Sequence, residues 1–296
     1  MNNKNTYEID KNPRISLLNS FHKLLIICAN KLHSNSFFSI HLSILIENLI
    51  ASIKGYSVRF SYDKKEKLII TREGELERCF KNINRGFWLY RNGIKTRGEF
   101  LFNSYCLNNI YFKEGDVIID CGANAGDLFI KFNDMQKSIS YIGIEPNPED
   151  FEVLKKNVDG PNTILLNKGV GEKNNMLPFY ISTDLGDSSL IEPVSYTNII
   201  EIEVITLDNI IDKYNLEKVK LLKLETEGYE IEALKGLVRS INNIEYIAVD
   251  GGYERGVDAE ETFTWISNYL INNNFEMIGI YFDWCRALFK NTQINN

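Results

Sequence analysis

The feature that most constrains the fold is a series of short apolar runs that alternate with helical segments from Asp116 onward. Uninterrupted apolar strands separated by helices are typical of a mostly parallel β-sheet covered on both faces. Only Trp284 and Cys285 separate the last two runs, too few residues for a crossover helix, so these runs predict an antiparallel hairpin at one edge. Together the runs predict a seven-stranded sheet: VIID (117–120), YIGIE (141–145), TILLN (163–167), LLKLE (221–225), YIAVD (246–250), FEMIGIYFD (275–283) and RALFK (286–290).

This α/β pattern occupies about two thirds of the 296 residues. It predicts one domain over 95–296, preceded by an N-terminal helical and hairpin region over 1–94. Inside the domain, 98–109 predicts a helix and 177–206 predicts an insertion with strands of its own. The first residues, 1–14, are polar and predict disorder.

Two stretches of the N-terminal region, 15–34 and 36–54, are apolar enough to raise the question of a membrane. A 17-residue helix from the second stretch reaches about 26 Å, short of a hydrocarbon core of about 30 Å, so no membrane span is expected. Four apolar residues recur there at helical spacing: Phe38, Leu42, Leu45 and Leu49. We therefore expect a buried or partner-facing amphipathic helix, with a homo-oligomer formed through the N-terminal helices as one outcome.

The sequence pattern changes after Gly55. Residues 57–62 and 67–72 alternate apolar and polar side chains around a charged turn and predict a β-hairpin. Residues 86–91 (GFWLYR) predict a further short strand.

Composition excludes several kinds of site. The histidines are His22, His33 and His41, so the predicted α/β domain contains none and can hold neither a Ser-His-Asp triad nor a histidine-ligated zinc ion. A net charge of −7 disfavours nucleic-acid binding. Five scattered cysteines without a Cys-x-x-Cys pair predict reduced thiols and a cytoplasmic protein.

Four of the predicted strands end in an acidic residue: Asp120, Glu145, Glu225 and Asp250. In an open α/β sheet, ligands bind outside the carboxyl ends of the strands. We therefore expect these four carboxylates to face one crevice.

The turn after the first strand of the domain, residues 120–126 (DCGANAG), carries the strongest ligand signal. Gly122 permits a tight turn, and Gly126 allows the next helix to pack close to the strand. The middle glycine of the dinucleotide motif Gly-x-Gly-x-x-Gly is absent, which favours a ligand with a cationic amine and sulfonium over a pyrophosphate. Glu145, which lies 25 residues after Asp120, is positioned to accept hydrogen bonds from both hydroxyls of a ribose.

Four segments of the chain resemble the FkbM family of S-adenosylmethionine-dependent methyltransferases: 115–126 (GDVIIDCGANAG), 145–148 (EPNP), 206–208 (TLD) and 223–230 (KLETEGYE). The resemblance covers roughly residues 95–291 and implies the Rossmann-like class I methyltransferase fold. It also implies S-adenosylmethionine as cofactor and a sugar or polyketide hydroxyl as acceptor. The chain departs from the family pattern at Glu225, where Asp is usual, and at Tyr229, where a small residue is common.

The resemblance assigns the cofactor to residues in three places. The methionine end would lie on the first turn, the ribose on the end of the second strand with Asn147 close by, and the adenine near 167–171. The residues are Asp120, Gly122, Ala123, Asn124, Gly126, Glu145, Asn147, Asn167, Gly169 and Val170.

Residues 223–230 predict the catalytic side chains. Strand alternation puts Lys223 and Glu225 on one face, where we expect the ammonium group to be buried and paired with a carboxylate. O-methylation needs a base for the hydroxyl proton, and without histidine this base is a carboxylate, in the order Glu227, Glu225 and Asp250. A divalent metal ion on the same three carboxylates is the less favoured alternative. The helix macrodipole accounts for Glu230.

The glycine-rich segment 250–256 follows the next strand and predicts a loop over the acceptor. Tyr253 and Trp284 are the side chains we expect to stack on a sugar face. Two other functions remain open at this point. One is a nicotinamide-dependent oxidoreductase on the same type of sheet, and the other is a non-catalytic scaffold that keeps the methyltransferase fold.

Overall fold

A computed structural model describes the chain over residues 37–135, 137–182 and 188–294. The predictions for 1–14 and 15–34 lie outside these residues, as do His22 and His33.

Residues 37–104 form helices around a three-stranded antiparallel sheet in which the second strand is central. In chain order these elements are α1 (Phe37–Lys54), β1 (Arg59–Asp63), β2 (Leu68–Glu73), β3 (Leu76–Phe80), α2 (Ile83–Tyr90) and α3 (Ile94–Ser104). The hairpin predicted over 57–62 and 67–72 is confirmed as β1 and β2. Strand β3 adds a third strand to it, and the helix predicted over 98–109 begins and ends earlier, as α3.

The short strand predicted over 86–91 is wrong, because most of these residues belong to helix α2. Asn82 caps this helix by accepting a backbone N–H three residues further on, at 3.0 Å. Phe87 and Tyr90 are buried and pack on Phe80, with ring centroids 5.8 and 5.7 Å away. Residues three apart share one helix face, so the apolar run buries one side of a helix.

Helix α1 confirms the helix predicted over 36–54, but it buries a different face. Ile46 and Ala51 are buried, whereas Leu45 and Leu49 are 66% and 60% exposed. No described helix is long and apolar enough to cross a membrane. The exposed side chains of Leu45 and Leu49 agree with the partner-facing alternative for this helix. The homo-oligomer itself stays a prediction.

The rest of the described chain is an α/β unit with ten strands and five α-helices. Its strands are β4 (Val117–Cys121), β5 (Ser140–Ile144), β6 (Thr163–Leu166), β7 (Gly169–Val170), β8 (Asn175–Ile181), β9 (Asn198–Ile205), β10 (Val219–Leu224), β11 (Ile244–Asp250), β12 (Phe275–Tyr281) and β13 (Arg286–Asn291). Its helices are α4 (Asp127–Asp134), α5 (Pro148–Asn157), α6 (Leu207–Lys213), α7 (Glu230–Lys235) and α8 (Phe263–Asn272).

Seven of these strands form one sheet in the order β12-β13-β11-β10-β4-β5-β6. All neighbours are parallel except β13, which runs antiparallel to both β11 and β12. The seven-stranded Rossmann-like fold with an antiparallel edge hairpin is therefore confirmed. Strands β10 and β11 are buried along their whole length, which explains their continuous apolar sequence.

The insertion predicted over 177–206 contains strands, as expected. Strands β8 and β9 pair antiparallel, and β7 joins them to complete a small sheet in the order β7-β9-β8. This sheet lies next to the large one, because Gly169 of β7 follows β6 after only two residues.

The N-terminal region is attached to the α/β unit by buried polar contacts. The phenol of Tyr90 donates a hydrogen bond to Asp127 at the start of α4, and Arg97 pairs with the same carboxylate at 2.8 Å. At a second point, the side chain of Asn157 accepts from the backbone N–H of Cys79 at 2.7 Å and donates to its carbonyl at 2.9 Å. These contacts bring α2 next to the carboxyl edge of the sheet.

Candidate active site

The turn after β4 has the backbone geometry that its glycines predict. Gly122 has φ +73°, and a Cβ there would lie 1.7 Å from the carbonyl oxygen of Glu225. Gly126 has φ +80°, and a Cβ there would lie 2.4 Å from Val158. Glycine is therefore required at both positions for the turn to pass close to the neighbouring strand and helix.

Glu145 is buried at the end of β5. Its two oxygens accept backbone N–H groups, from Asn124 at 2.8 Å and from Asn147 at 2.9 Å. Burial, together with the nearby carboxylate of Asp150, raises the pKa of Glu145 to about 8, although these two backbone hydrogen bonds and Arg85 favour the charged form. A further hydrogen-bond donor in this turn would therefore stabilise the charged form of Glu145.

A cleft opens along this turn and between the carboxyl ends of β4, β5 and β10. Six of the ten residues predicted to bind cofactor line it: Gly122, Asn124, Glu145, Asn147, Gly169 and Val170. The other four support the cleft from behind. Asp120 and Ala123 are buried, Gly126 begins α4, and the Asn167 amide donates to the Glu145 carbonyl at 2.9 Å.

The cleft also has lining residues that the sequence did not indicate. Arg85 comes from α2 in the N-terminal region and Asp150 from the first turn of α5. Strand β8 of the small sheet and the segment between β8 and β9 add Phe179, Ser188 and Leu190. No local motif marks these residues, because each reaches the cleft through the packing of another unit against the large sheet.

Lys223 is buried in β10 and paired with carboxylates, as predicted. Its ammonium group lies 3.0 Å from Asp120 and 2.8 Å from Glu225, and it donates to the carbonyl of Gly122 at 2.8 Å. Tyr141 donates to the other side of Asp120 at 2.5 Å. The lysine thus fixes the first turn to β10 and neutralises charge beneath the cleft.

Arg286 of β13 is a second buried cation, and sequence reasoning missed it. Its guanidinium lies 2.6 Å from Glu225 and 2.7 Å from Asp250, and it covers the ring of Tyr105 at 4.3 Å. Although burial opposes ionisation, Lys223 and Arg286 hold the pKa of Glu225 well below its usual range. A carboxylate that releases its proton so readily is a weak base, so Glu225 suits charge neutralisation better than proton abstraction.

The sequence predicted that the four strand-end carboxylates face one crevice, and the structure shows that they do not. Glu145 and Glu225 line the cleft, whereas Asp120 is buried beneath it and Asp250 is held by Arg286 outside its lining. The reason is that two buried cations draw the carboxylates to themselves. Within the described residues, no group of three histidine, cysteine or acidic side chains converges in a way that could hold a metal ion.

Glu227 lines the cleft in the turn from β10 to α7, with φ +53°. Its side chain shares a hydrogen bond with Glu254, from the loop after β11. Desolvation, together with the nearby charges of Asp250 and Glu225, raises the pKa of Glu254 to about 8. The sequence predicted the loop but did not single out Glu254.

The two aromatic residues predicted to bind the acceptor lie in different surroundings. Tyr253 is exposed and lines a depression separate from the cleft. Trp284 packs edge-on against Phe100 at 5.8 Å and lies 5.1 Å from the guanidinium of Arg286. They do not share one cavity.

The chain is similar in sequence to known methyltransferases. The methyltransferase FkbM domain matches residues 120–276, slightly more than half of the chain. The hexuronic acid methyltransferase AglP of Haloferax volcanii is 24% identical over 221 residues, which cover 74% of this chain and 80% of that protein.

Two solved structures are also similar. A SAM-dependent methyltransferase from Aquifex aeolicus has a TM-score of 0.41 at 13% identity, covering 71% of this chain and 93% of the other. The M. capricolum TrmK, solved with S-adenosyl-homocysteine, has a TM-score of 0.38 at 11% identity, covering 65% of this chain and 68% of the other.

Proposed function

The chain belongs to the FkbM methyltransferase family and is an S-adenosylmethionine-dependent methyltransferase, and we propose that it O-methylates a sugar hydroxyl of a glycan, polysaccharide or glycoconjugate. The observation that carries this proposal is the carboxyl pair Glu227 and Glu254 beside the cleft. A hydroxyl acceptor must lose a proton as the new bond forms, and this pair supplies a base. The hexuronic acid acceptor in the name of the Haloferax volcanii relative supports a sugar as substrate. Family membership disfavours the nicotinamide-dependent alternative.

The residues present fit the cofactor. The buried carboxyl of Glu145 lines the cleft beside the backbone of Asn124. We assign the ribose hydroxyls to Glu145, the methionine end to the turn that contains Gly122, and the adenine to the side formed by Gly169 and Val170. When bound, S-adenosylmethionine supplies an electrophilic methyl group on a sulfonium ion.

The protein's part in the reaction is positioning and proton removal. Methyl transfer is an in-line displacement in which positioning contributes roughly 7–11 kcal/mol. We assign proton removal to Glu227, with Glu254 sharing the proton. Glu225 and Asp250, the second and third choices from sequence, are held by Arg286 and contribute charge instead.

Isothermal titration calorimetry with S-adenosylhomocysteine tests cofactor binding, and transfer of a labelled methyl group to polysaccharide hydroxyls tests the reaction. Glu227→Gln should lower kcat by about 10²- to 10⁴-fold while leaving cofactor affinity unchanged. Glu201→Gln, at an exposed carboxylate on β9, is the matched control. Full turnover by Glu227→Gln would refute the assignment of the base. Cofactor binding without methyl transfer to any acceptor would instead indicate the scaffold alternative.

A metal-independent reaction is part of the proposal. Two of the three carboxylates considered for a divalent ion, Glu225 and Asp250, already accept hydrogen bonds from Arg286. We expect turnover to be unaffected by EDTA, and loss of turnover that is restored by added magnesium would contradict this.

We also place the protein in the cytoplasm and propose that it associates with a second copy through its N-terminal helices. The described cysteines, Cys79, Cys106, Cys121 and Cys285, are free thiols, which suits a reducing compartment. The exposed leucines of α1 support self-association. Fractionation of the host cells and sedimentation velocity of the purified chain test these two points.

A further inference from the structure

A second depression lies at the carboxyl edge of the large sheet, beyond the cleft. Its aromatic walls include Tyr253 and Phe282. These two side chains are 69% and 78% exposed. Glu261 and Thr264, at the start of α8, add polar groups to the same depression.

The strand register explains why the depression lies beside the reaction site. Asp250 at the end of β11 and Tyr281 at the end of β12 both pair with Arg286 of β13. Because β12 runs parallel to β11, its carboxyl end and the turn that carries Phe282 lie at the same edge as the cleft.

The loop over 251–256 connects the depression to the cleft. On one side, Arg255 donates to the carbonyl of Gly228 at 2.7 Å, which holds the loop against the turn that carries Glu227. On the other side, the backbone N–H of Gly251 donates to the carbonyl of Cys285, in the lining of the depression, at 3.1 Å. Successive residues of this loop therefore serve both sites: Glu254 meets Glu227, and Tyr253 lines the depression.

We propose that this depression is the acceptor subsite and that it holds an uncharged pyranose ring between Tyr253 and Phe282. This inference rests on the proposed function and specifies its substrate class. Sugar rings present apolar C–H faces that pack on aromatic rings, while their hydroxyls need polar partners. Exposed aromatic rings beside a carboxylate and a hydroxyl, as found here, supply both kinds of contact.

The charge around the depression determines which sugars it accepts. Residues 250–261 (DGGYERGVDAEE) contain five acids and one base. That base, Arg255, is already paired with Glu232 at 2.8 Å. Among the described lining residues there is a carboxylate, Glu261, and no lysine or arginine. A uronate or a phosphorylated sugar would meet repulsion without a compensating cation, so the site favours a neutral ring.

Saturation-transfer NMR on the full chain, saturated with S-adenosylhomocysteine, measures sugar binding without methyl transfer. The probes are the methyl pyranosides of glucose, galactose and mannose, and methyl glucuronide. We expect at least one neutral pyranoside to bind, and the glucuronide to bind about fivefold more weakly than the best neutral sugar. Phe282→Ala and Tyr253→Ala should each weaken binding of the neutral sugar about fivefold.

Tyr111→Ala is the matched control, because Tyr111 is 72% exposed and lies outside both the cleft and the depression. The highly exposed Phe282 can be replaced without a cavity in the core, and unchanged affinity for S-adenosylhomocysteine will report that the variant is folded. Equal binding of glucuronide, or neutral-sugar binding that survives both substitutions, would overturn the subsite. Failure to methylate any sugar in the labelled-methyl assay would instead refute the proposed function.

Discussion

The protonation of Glu145 should make cofactor binding depend on pH. Its pKa is raised from 4.5 to about 8 by burial and by Asp150, so the carboxyl is largely protonated at neutral pH in the absence of ligand. Ribose hydroxyls donating to this group favour its charged form. Binding should therefore release a proton from Glu145.

The magnitude follows from the two pKa values. A rise in the pKa from 4.5 to about 8 means that the folded protein disfavours the charged carboxylate by roughly 5 kcal/mol. A carboxyl whose pKa is higher in the folded state than in the unfolded state stabilises the fold at low pH. As the pH rises from 4.5 to 8, we expect the titration of Glu145 to lower the free energy of unfolding by at most about 1.4 kcal/mol per pH unit. Affinity for S-adenosylhomocysteine should rise by up to about tenfold per pH unit up to about pH 8 and then level off.

Titration calorimetry between pH 6 and 9, in buffers with different ionisation enthalpies, measures both the affinity and the released proton. Glu145→Gln should bind more weakly and lose this pH dependence, because glutamine does not titrate. Asp150→Asn should move the rise in affinity to lower pH, because the neighbouring charge contributes to the shift. Affinity that is independent of pH from 6 to 8, or a wild-type slope that persists in Glu145→Gln, would refute the reasoning.

Three further substitutions test the framework of the site. Gly122→Ala should abolish cofactor binding in calorimetry, since its Cβ would lie 1.7 Å from the Glu225 carbonyl oxygen; retained affinity would contradict this. Lys223→Met should destabilise the fold by about 3–5 kcal/mol in urea unfolding, because buried carboxylates lose their cation, and a loss below 1 kcal/mol would contradict this. Tyr90→Phe should cost about 1–3 kcal/mol, since Asp127 loses a buried donor, and unchanged stability would show that Arg97 alone suffices.

The parts of the site that depend on short stretches of sequence could be predicted. Gly122 and Gly126 are required by local backbone geometry, and the burial of Lys223 beside Glu225 follows from strand alternation. For the same reason the seven apolar runs gave the correct strands and the correct edge hairpin.

The parts that depend on packing between distant segments could not be predicted. Arg286 meets Glu225 only because β13 inserts between β11 and β12, an order that no local pattern encodes. Arg85 reaches the cleft on helix α2, although the sequence predicts a strand over 86–91; Asn82, just before this helix, is a typical helix cap. The longer carboxylate at 225, a departure from the family pattern, spans from Lys223 to Arg286.

The contacts of the N-terminal region also bear on how this protein can be divided. Cutting the chain at residue 94 would remove Tyr90 from Asp127 and Arg85 from the wall of the cleft. It would also expose Ile130 of α4, which packs in the same apolar cluster as Phe60 and Phe87. An expression fragment trimmed to the α/β unit would thus have an exposed apolar surface and an incomplete cleft. A fusion of this unit to a different N-terminal region would need substitutions on both sides of the junction.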